Sequence, residues 1–290
     1  MTVKNMQKIG FIGQGWIGKN YADNFVERGF DVVRYGLEAE YNGNKEKIKD
    51  CEIVFIAVPT MTTPAGFDSR IVKETVKLVG SGKIAVIKST LLPGTTETIQ
   101  KENPGIFVLH SPEFLTRSTA GKDVEAPSRN IIGLPVDNED FRRAAELILA
   151  LIPKAPYNLI CSAREAEIIK YMRNCQGYFR VIFANLAYDL TKALGVGWDN
   201  IEQAMAADPV NGGYYYKPIH GDGRGAGGPC YIKDFAAFSK LYMEKAGDAS
   251  GNKLLESLQN KNIELLAESK KDLDLLKGVY GDDVVNKIIK

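Results

Sequence analysis

Soft metal ligands are scarce in this sequence. Its four cysteines, Cys51, Cys161, Cys175 and Cys230, are widely spaced with no CxxC pair, and His110 and His220 are the only histidines among 290 residues. The pattern argues against a metal site and against a disulfide framework, and it fits a reduced, cytoplasmic protein whose lone cysteines stay thiols. Excess charge is missing too. Lys+Arg 37 against Asp+Glu 36 leaves a net charge of +1, so no global field draws the chain to nucleic acid or to an anionic membrane. Any bound anion must be held locally. No apolar run precedes the first strand-like segment, and none approaches the ~20 residues that a membrane helix needs.

What is present is globular: 44% hydrophobic and 25% charged residues, in a length that suits about two domains. Residues 8–12, a glycine turn, a helical stretch over 16–27 and residues 30–35 form a βαβ unit. A strand over 51–58 stops at Pro59, and 83–88, 106–109 and 130–133 are strand-like, with helices expected over 69–78, 95–101 and 139–151. Strands alternating with helices predict an α/β fold, a Rossmann-type doubly wound parallel sheet, in a domain over residues 1–160. Near residue 162 the composition changes. Ser162-Ala-Arg-Glu165 has the form of a capping box, no proline follows before Leu194, and Gly195 is a stop signal. The spacing predicts one helix of ~48 Å at 1.5 Å per residue, with Gly177 its one weak interior point. It opens a smaller, all-helical domain over 161–290, interrupted by a glycine-rich stretch over 208–230 that is too long for a simple connector.

Three constellations carry chemistry. Gly13-Gln14-Gly15-Trp16-Ile17-Gly18 is a GxGxxG that directly follows a strand and opens a helix, a context in which the glycines admit the pyrophosphate of a dinucleotide to the main chain and to the helix N-terminus. The carboxylate that normally ends the second strand is absent, however, and Arg34-Tyr35-Gly36 stands there. Glu38 or Glu40 is a candidate for the ribose hydroxyls and Arg34 for a 2′-phosphate, so NAD and NADP both stay open. Lys170 and Asn174, four residues apart, share a face of the long helix. They suit the holding of an oxyanion, or simply a solvated helix face with Glu167 and Arg173. In Gly225-Ala-Gly227-Gly228-Pro-Cys230-Tyr-Ile-Lys233-Asp234, a cysteine in a glycine loop precedes a cation and a carboxylate. This suits a nucleophile favoured as thiolate, and equally a small buried thiol at a helix start.

Taken together, these residues resemble the UDP-glucose/GDP-mannose dehydrogenase family, the nucleotide-sugar dehydrogenases. Val58-Pro59-Thr60 is similar to its strand end beside the cofactor, and Ser89-Thr90-Leu-Leu-Pro93-Gly94-Thr95-Thr96 to its Ser-Thr-x-x-Pro-Gly-Thr-Thr segment. Ser111-Pro112-Glu113-Phe114-Leu115, Ala166-Glu-x-x-Lys170-Tyr-x-x-Asn174 and Gly227-Gly228-x-Cys230-x-x-Lys233-Asp234 complete the likeness. The resemblance implies NAD-dependent, four-electron oxidation of a primary alcohol to a carboxylate, with Cys230 carrying a thiohemiacetal and then a thioester. By the same likeness, Lys170 stabilises the oxyanion, Asn174 and Thr90 position the reacting oxygen or water, Glu113 is the base of hydrolysis, and Asp234 supports that water or Lys170. Ser89 and Lys233 fall with the cofactor contacts. Phe114 and Leu115 would meet the sugar, and the loop 214–228, with Gly227 and Gly228, would close over sugar and phosphates.

The sequence also departs from the family. A third, C-terminal α/β domain usually grips the nucleotide, whereas this sequence ends one or two helices after Asp234; Arg117 replaces a second glutamate and Ile232 a proline. Lys217 and Arg224 are the cations expected to hold phosphates, of a nucleotide sugar or a smaller sugar phosphate. Two other readings remain: a two-electron hydroxyacid or sugar-acid dehydrogenase using Lys170 and Asn174 without a covalent step, and a non-catalytic dinucleotide-binding module. Apolar positions around Ile169, Met172, Phe179, Ile182, Phe183 and Leu186 lie on more than one side of the long helix, which predicts a homodimer through it.

Overall fold

The structure, a computed structural model, describes residues 8–210, 215–221 and 223–289. Its first elements are β1 (Lys8–Ile12), α1 (Trp16–Glu27), β2 (Asp31–Tyr35), a 3-10 helix (Asn42–Asp50), β3 (Ile53–Ile56), β4 (Met61–Thr63), β5 (Gly66–Asp68) and α2 (Arg70–Val76). Then come β6 (Ile84–Ile87), α3 (Thr95–Glu102), β7 (Phe107–His110), α4 (Ala120–Glu125), β8 (Arg129–Leu134), α5 (Glu139–Leu151) and β9 (Tyr157–Ser162). The chain continues through α6 (Ala163–Ala193), α7 (Asp199–Ala207), β10 (Ile219–His220), β11 (Gly223–Arg224), α8 (Gly228–Lys245), α9 (Ala249–Glu268), α10 (Leu273–Tyr280) and α11 (Asp282–Ile289). Two compact units result. The first holds residues up to Thr60 and Asp68–Lys170, the second Met61–Phe67 and Tyr171–Lys290, so the division falls inside α6 and the 61–67 segment joins the second unit.

In the first unit seven strands are ordered β2-β1-β3-β6-β7-β8-β9. Strands β3 and β6 read as uninterrupted apolar runs, Ile53-Val-Phe-Ile56 and Ile84-Ala-Val-Ile87, and are buried throughout, the pattern of a sheet covered on both faces. Phe11, Phe25 and Phe55 pack on one another with ring centroids 5.0 to 5.4 Å apart. The expectation of a parallel sheet needs one correction: β7 and β8 pair antiparallel through His110↔Gly133, while β8 and β9 are parallel to each other. The cause is the link between β7 and β8, which holds only the six-residue helix α4 and starts β8 from beyond the carboxyl end of β7. Arg129 accordingly stands 4.0 Å from the Phe114 ring centroid. The edge strand β9 also lies outside the strands expected from sequence.

The second unit is mainly helical. The hairpins β4-β5 and β10-β11 are additions to the expected all-helical arrangement. Residues Cys175, Tyr178, Ile182, Phe235 and Leu255 form one core cluster, in which Tyr178 and Phe235 stack at 3.9 Å. Gly177, a weak point by helix propensity, has a packing reason: a Cβ there would overlap the Tyr231 hydroxyl and lie 2.8 Å from its Cζ. The 31-residue α6 is capped as expected, with Ser162 N donating to Glu165 Oε2 at 2.8 Å and Glu165 N to Ser162 Oγ at 3.3 Å.

Candidate active site

Strand order gives the first unit its site. The segments after β1, β3, β6 and β7 leave the carboxyl ends of four neighbouring parallel strands, where open α/β sheets bind their ligands. Gly13 adopts φ +89°, and a Cβ on it would overlap Ala57 O, as one on Gly18 would overlap Gly13 O. Gly15, the N-cap of α1, faces open space, and no side chain caps the helix. Its first amides are left for a ligand, which fits the pyrophosphate of a dinucleotide. Gln14 and Ile17 do not share that open face. Gln14 Nε2 donates inward to Phe11 O at 3.2 Å, and Ile17 packs against the sheet core, so both support the turn from behind; Trp16 is half-buried.

Hydrogen bonds stitch the next strand ends together. Ser89 Oγ accepts from Val58 N at 3.0 Å and donates to Val58 O at 2.7 Å, and Thr60 Oγ1 donates to Thr90 O at 2.9 Å. The Ser89 hydroxyl is therefore spent on holding Val58, while Pro59 is exposed. Lys88, which the sequence reading passed over, donates from Nζ to both Ser111 O and Ser111 Oγ at 3.0 Å, above the Tyr21 ring. Beyond it, Lys170 Nζ donates to Glu113 O at 2.7 Å and to Glu113 Oε1 at 3.0 Å. Glu113 Oε2 accepts from Leu115 N at 2.8 Å. Phe114 stands between Arg129 and Lys170, whose Nζ is 5.8 Å from the ring centroid, and Leu115 packs partly on the core.

Glu167, one turn before Lys170, is fully buried and accepts from Gly94 N at 2.6 Å, Thr96 N at 2.9 Å and Thr96 Oγ1 at 2.6 Å. It ties the start of α3 to α6. Burial pushes its carboxyl up to about 7 against the pull of these donors.

The second unit holds the cysteine. Cys230 lies in the first turn of α8, the helix start that is one of the two placements open from sequence: Gly227 is the N-cap, Pro229 lies in the first two positions, and the first turn contains no acidic residue. Its half-exposed thiol lies at the N-terminal end of an 18-residue helix, where Asp272 takes the Gly228 amide. The other cysteines differ. Burial raises Cys51 and Cys161 to about 11 and Cys175 higher still, with the Asp234 charge adding to it at Cys175. Asp234 is buried and accepts from Asn174 Nδ2 at 2.6 Å, and Lys233 Nζ pairs with it at 2.5 Å.

The glycine loop is held by residues without a sequence motif. Asn262 brackets Ala226, accepting from its N–H at 2.7 Å and donating to its carbonyl at 3.1 Å. Asp272 accepts from Gly228 N at 2.7 Å and crowds Gly227, where any Cβ would overlap it. Arg224, expected to hold phosphates, is engaged within its own unit. Its guanidinium donates to Asn185 Oδ1 at 2.8 Å and pairs with Asp189 at 2.7 Å, both on α6. Lys217 is exposed, 3.6 Å from Glu202. Residues 214 and 222 of the expected closing loop lie outside the described residues. Among the described residues, no cluster of His, Cys, Asp or Glu is placed to hold a metal ion, and no helix is long and apolar enough to cross a membrane.

Comparison with known proteins agrees with this geometry. The model of the UDP-glucose/GDP-mannose dehydrogenase family's NAD-binding domain matches residues 34–150 and that of its central domain residues 164–263. The chain belongs to this family, and NAD(H) is the cofactor of its first unit. It is 26% identical over 280 residues to the UDP-glucose 6-dehydrogenase AglM of Haloferax volcanii, covering 79% of this chain and 64% of that protein. It is 29% identical over 261 residues to the putative UDP-glucose 6-dehydrogenase YtcA of Bacillus subtilis, covering 84% and 58%. The structure of a UDP-glucose dehydrogenase from Pyrobaculum islandicum superposes with a TM-score of 0.76 at 26% identity, over 92% of this chain and 72% of that one. The chain thus spans about three-fifths of the length of the two curated relatives.

Lys88 yields a pH test. Burial pushes its ammonium down to about 7, against about 10.4 in an unfolded chain. Between these values the unfolded chain binds more protons, so this group makes stability rise with pH. Thermal unfolding of wild type and Lys88→Met at pH 7 and pH 9.5 should show the wild type gaining relative to the variant as pH rises. Identical shifts in both proteins would contradict this assignment.

Proposed function

We propose that this protein oxidises the primary alcohol of a nucleotide sugar, of the UDP-glucose or GDP-mannose kind, to a carboxylate through a covalent intermediate on Cys230. The observation that carries the reading is the placement of Cys230 in the first turn of α8, beside the Asn174–Asp234–Lys233 network. Bound NAD supplies the two-electron acceptor for each of the two oxidations. In the first, the alcohol gives up a hydride to that acceptor and its hydroxyl proton to solvent water and becomes an aldehyde. The Cys230 thiolate then forms a bond to the aldehyde carbon, and the Lys170 ammonium stabilises the oxyanion of the thiohemiacetal, as a fixed cation in a site of low polarity can. Loss of the second hydride from that carbon leaves a thioester. Glu113 takes a proton from water, which attacks the thioester and expels the Cys230 thiolate as the acid is released. Thr90 and Asn174 position the reacting oxygens, and Asp234 orients Asn174. Phe114 and Leu115 meet the sugar, Gly227 and Gly228 let the phosphates approach the main chain, and Lys217 is the remaining loop cation.

The stoichiometry tests the scheme. With UDP-glucose, GDP-mannose or a sugar phosphate as substrate, two NADH should form per sugar consumed, and Cys230→Ala should lower turnover by about 10³ or more, the scale of losing a nucleophile. One NADH per substrate, unaffected by the substitution, would instead identify a two-electron dehydrogenase. No turnover by a protein that still binds NADH would favour the non-catalytic reading.

We further infer that α6 pairs two copies of the chain. Met172, Phe183, Leu186, Leu190 and Leu194 are all 47% exposed or more and recur at helical spacing, whereas Ile182 is buried inside the unit. Light scattering at micromolar concentration should give twice the chain mass. A monomer mass would overturn the pairing.

A further inference from the structure

The conserved chemistry of a dinucleotide fold asks for a carboxylate at the end of the second strand, and in this chain Gly36 occupies that position. We propose that Glu38 supplies the missing carboxylate from two residues further on, and that it makes the protein select NAD over NADP.

Three observations lead there. Gly36 is buried and is not among the glycines with positive φ, so its backbone does not itself demand glycine. The space beside it is taken by Glu38: the position of a Cβ on residue 36 is overlapped by Glu38 Oε2, the tip of a side chain, and lies 3.3 Å from Gln14 Cγ. The Glu38 carboxylate therefore fills the space that a side chain at the strand end would take, next to the dinucleotide turn. Secondly, the backbone of Glu38 is held at the strand end by its own turn. Its carbonyl accepts from Tyr41 N at 2.9 Å and Asn42 N at 3.0 Å, and Asn44 Nδ2 donates to Arg34 O at 3.0 Å, which folds the start of the 3-10 helix back onto the end of β2. Thirdly, the cation that would favour a 2′-phosphate is already engaged. Arg34 pairs with Asp23 of α1 at 2.7 Å, and Lys19 pairs with the same carboxylate at 2.6 Å.

The consequence is a charge rule. A carboxylate accepts hydrogen bonds from both hydroxyls of an adenosine ribose, bonds strengthened by its charge, and repels a phosphate at the 2′ position. The inference rests on the NAD-binding fold and is independent of the chemistry at Cys230.

The test measures binding by calorimetry of NADH and NADPH to the whole chain, with thermal melting as the check of folding. Glu38 is exposed, so its variants should melt with the wild type. Wild type should bind NADH at least tenfold more tightly than NADPH. Glu38→Gln, which keeps the shape and removes the charge, should weaken NADH by about tenfold, the scale of a lost charged hydrogen bond, and bring the two affinities within about threefold. The double variant Gly36→Asp/Glu38→Ala, with room now open for the new side chain, should restore the preference. If Glu38→Gln leaves the NADH/NADPH ratio unchanged, or if the double variant fails to restore it, the assignment is overturned. Asp23→Ala releases Arg34; a reversal to NADPH preference in that variant alone would overturn it too, placing the selectivity on Arg34.

Discussion

A buried ammonium must find an anion or give up its proton, and in this chain Lys170 finds Glu113. Both side chains are almost wholly enclosed, so removing either partner would strand a charge at a cost of about 3–5 kcal/mol. The pair fixes more than itself. Because Lys170 also takes the Glu113 carbonyl, the turn after β7 is pinned to α6 at both main chain and side chain. Lys88 holds the same turn from the strand side through Ser111. Glu167 binds the start of α3 one helical turn earlier. The strand ends that carry Thr60, Thr90 and Glu113 are thus held by polar bonds that only one arrangement satisfies, a means of preorganising groups for chemistry.

Sequence revealed those features whose cause is local. The GxGxxG turn was legible because left-handed backbone at Gly13 and close packing at Gly18 each demand glycine, and α6 because its capping box and stop signal lie in the chain itself. Pairing direction has no such local cause, so the reversal of β8 against β7 could not be read, nor could the short hairpin β4-β5. The location of Cys230 was open to a closer reading: Pro229 beside two glycines is a helix-start signal, yet the glycines suggested that the loop continued. Asn262 and Asp272 hold that loop from α9 and from the turn before α10, and no pattern of spacing joins residues so far apart. Arg224 shows what a loop cation conceals. A cation in a loop looks free until α6 supplies Asn185 and Asp189.

The four cysteines separate on one physical variable, the environment of the sulfur. Cys51 in its apolar surroundings, Cys161 on an edge strand and Cys175 beside the Asp234 charge are all biased toward the inert thiol. Cys230 sits within the opening turn of α8, whose first amide, Gly228 N, is taken by Asp272. A nucleophile needs exposure, and Cys230 is half-exposed where Cys51 and Cys175 are buried.

Covalent catalysis at that sulfur is the central claim, and intact-protein mass spectrometry tests it most directly. The protein would be mixed with NAD and UDP-glucose or GDP-mannose, whichever it turns over, and quenched in acid within the first turnovers. The account predicts an added mass of one acyl group, released by hydroxylamine as a thioester is and mapped to the peptide containing Cys230. Turnover to the acid with no adduct on that peptide, or with the adduct on another residue, would contradict it.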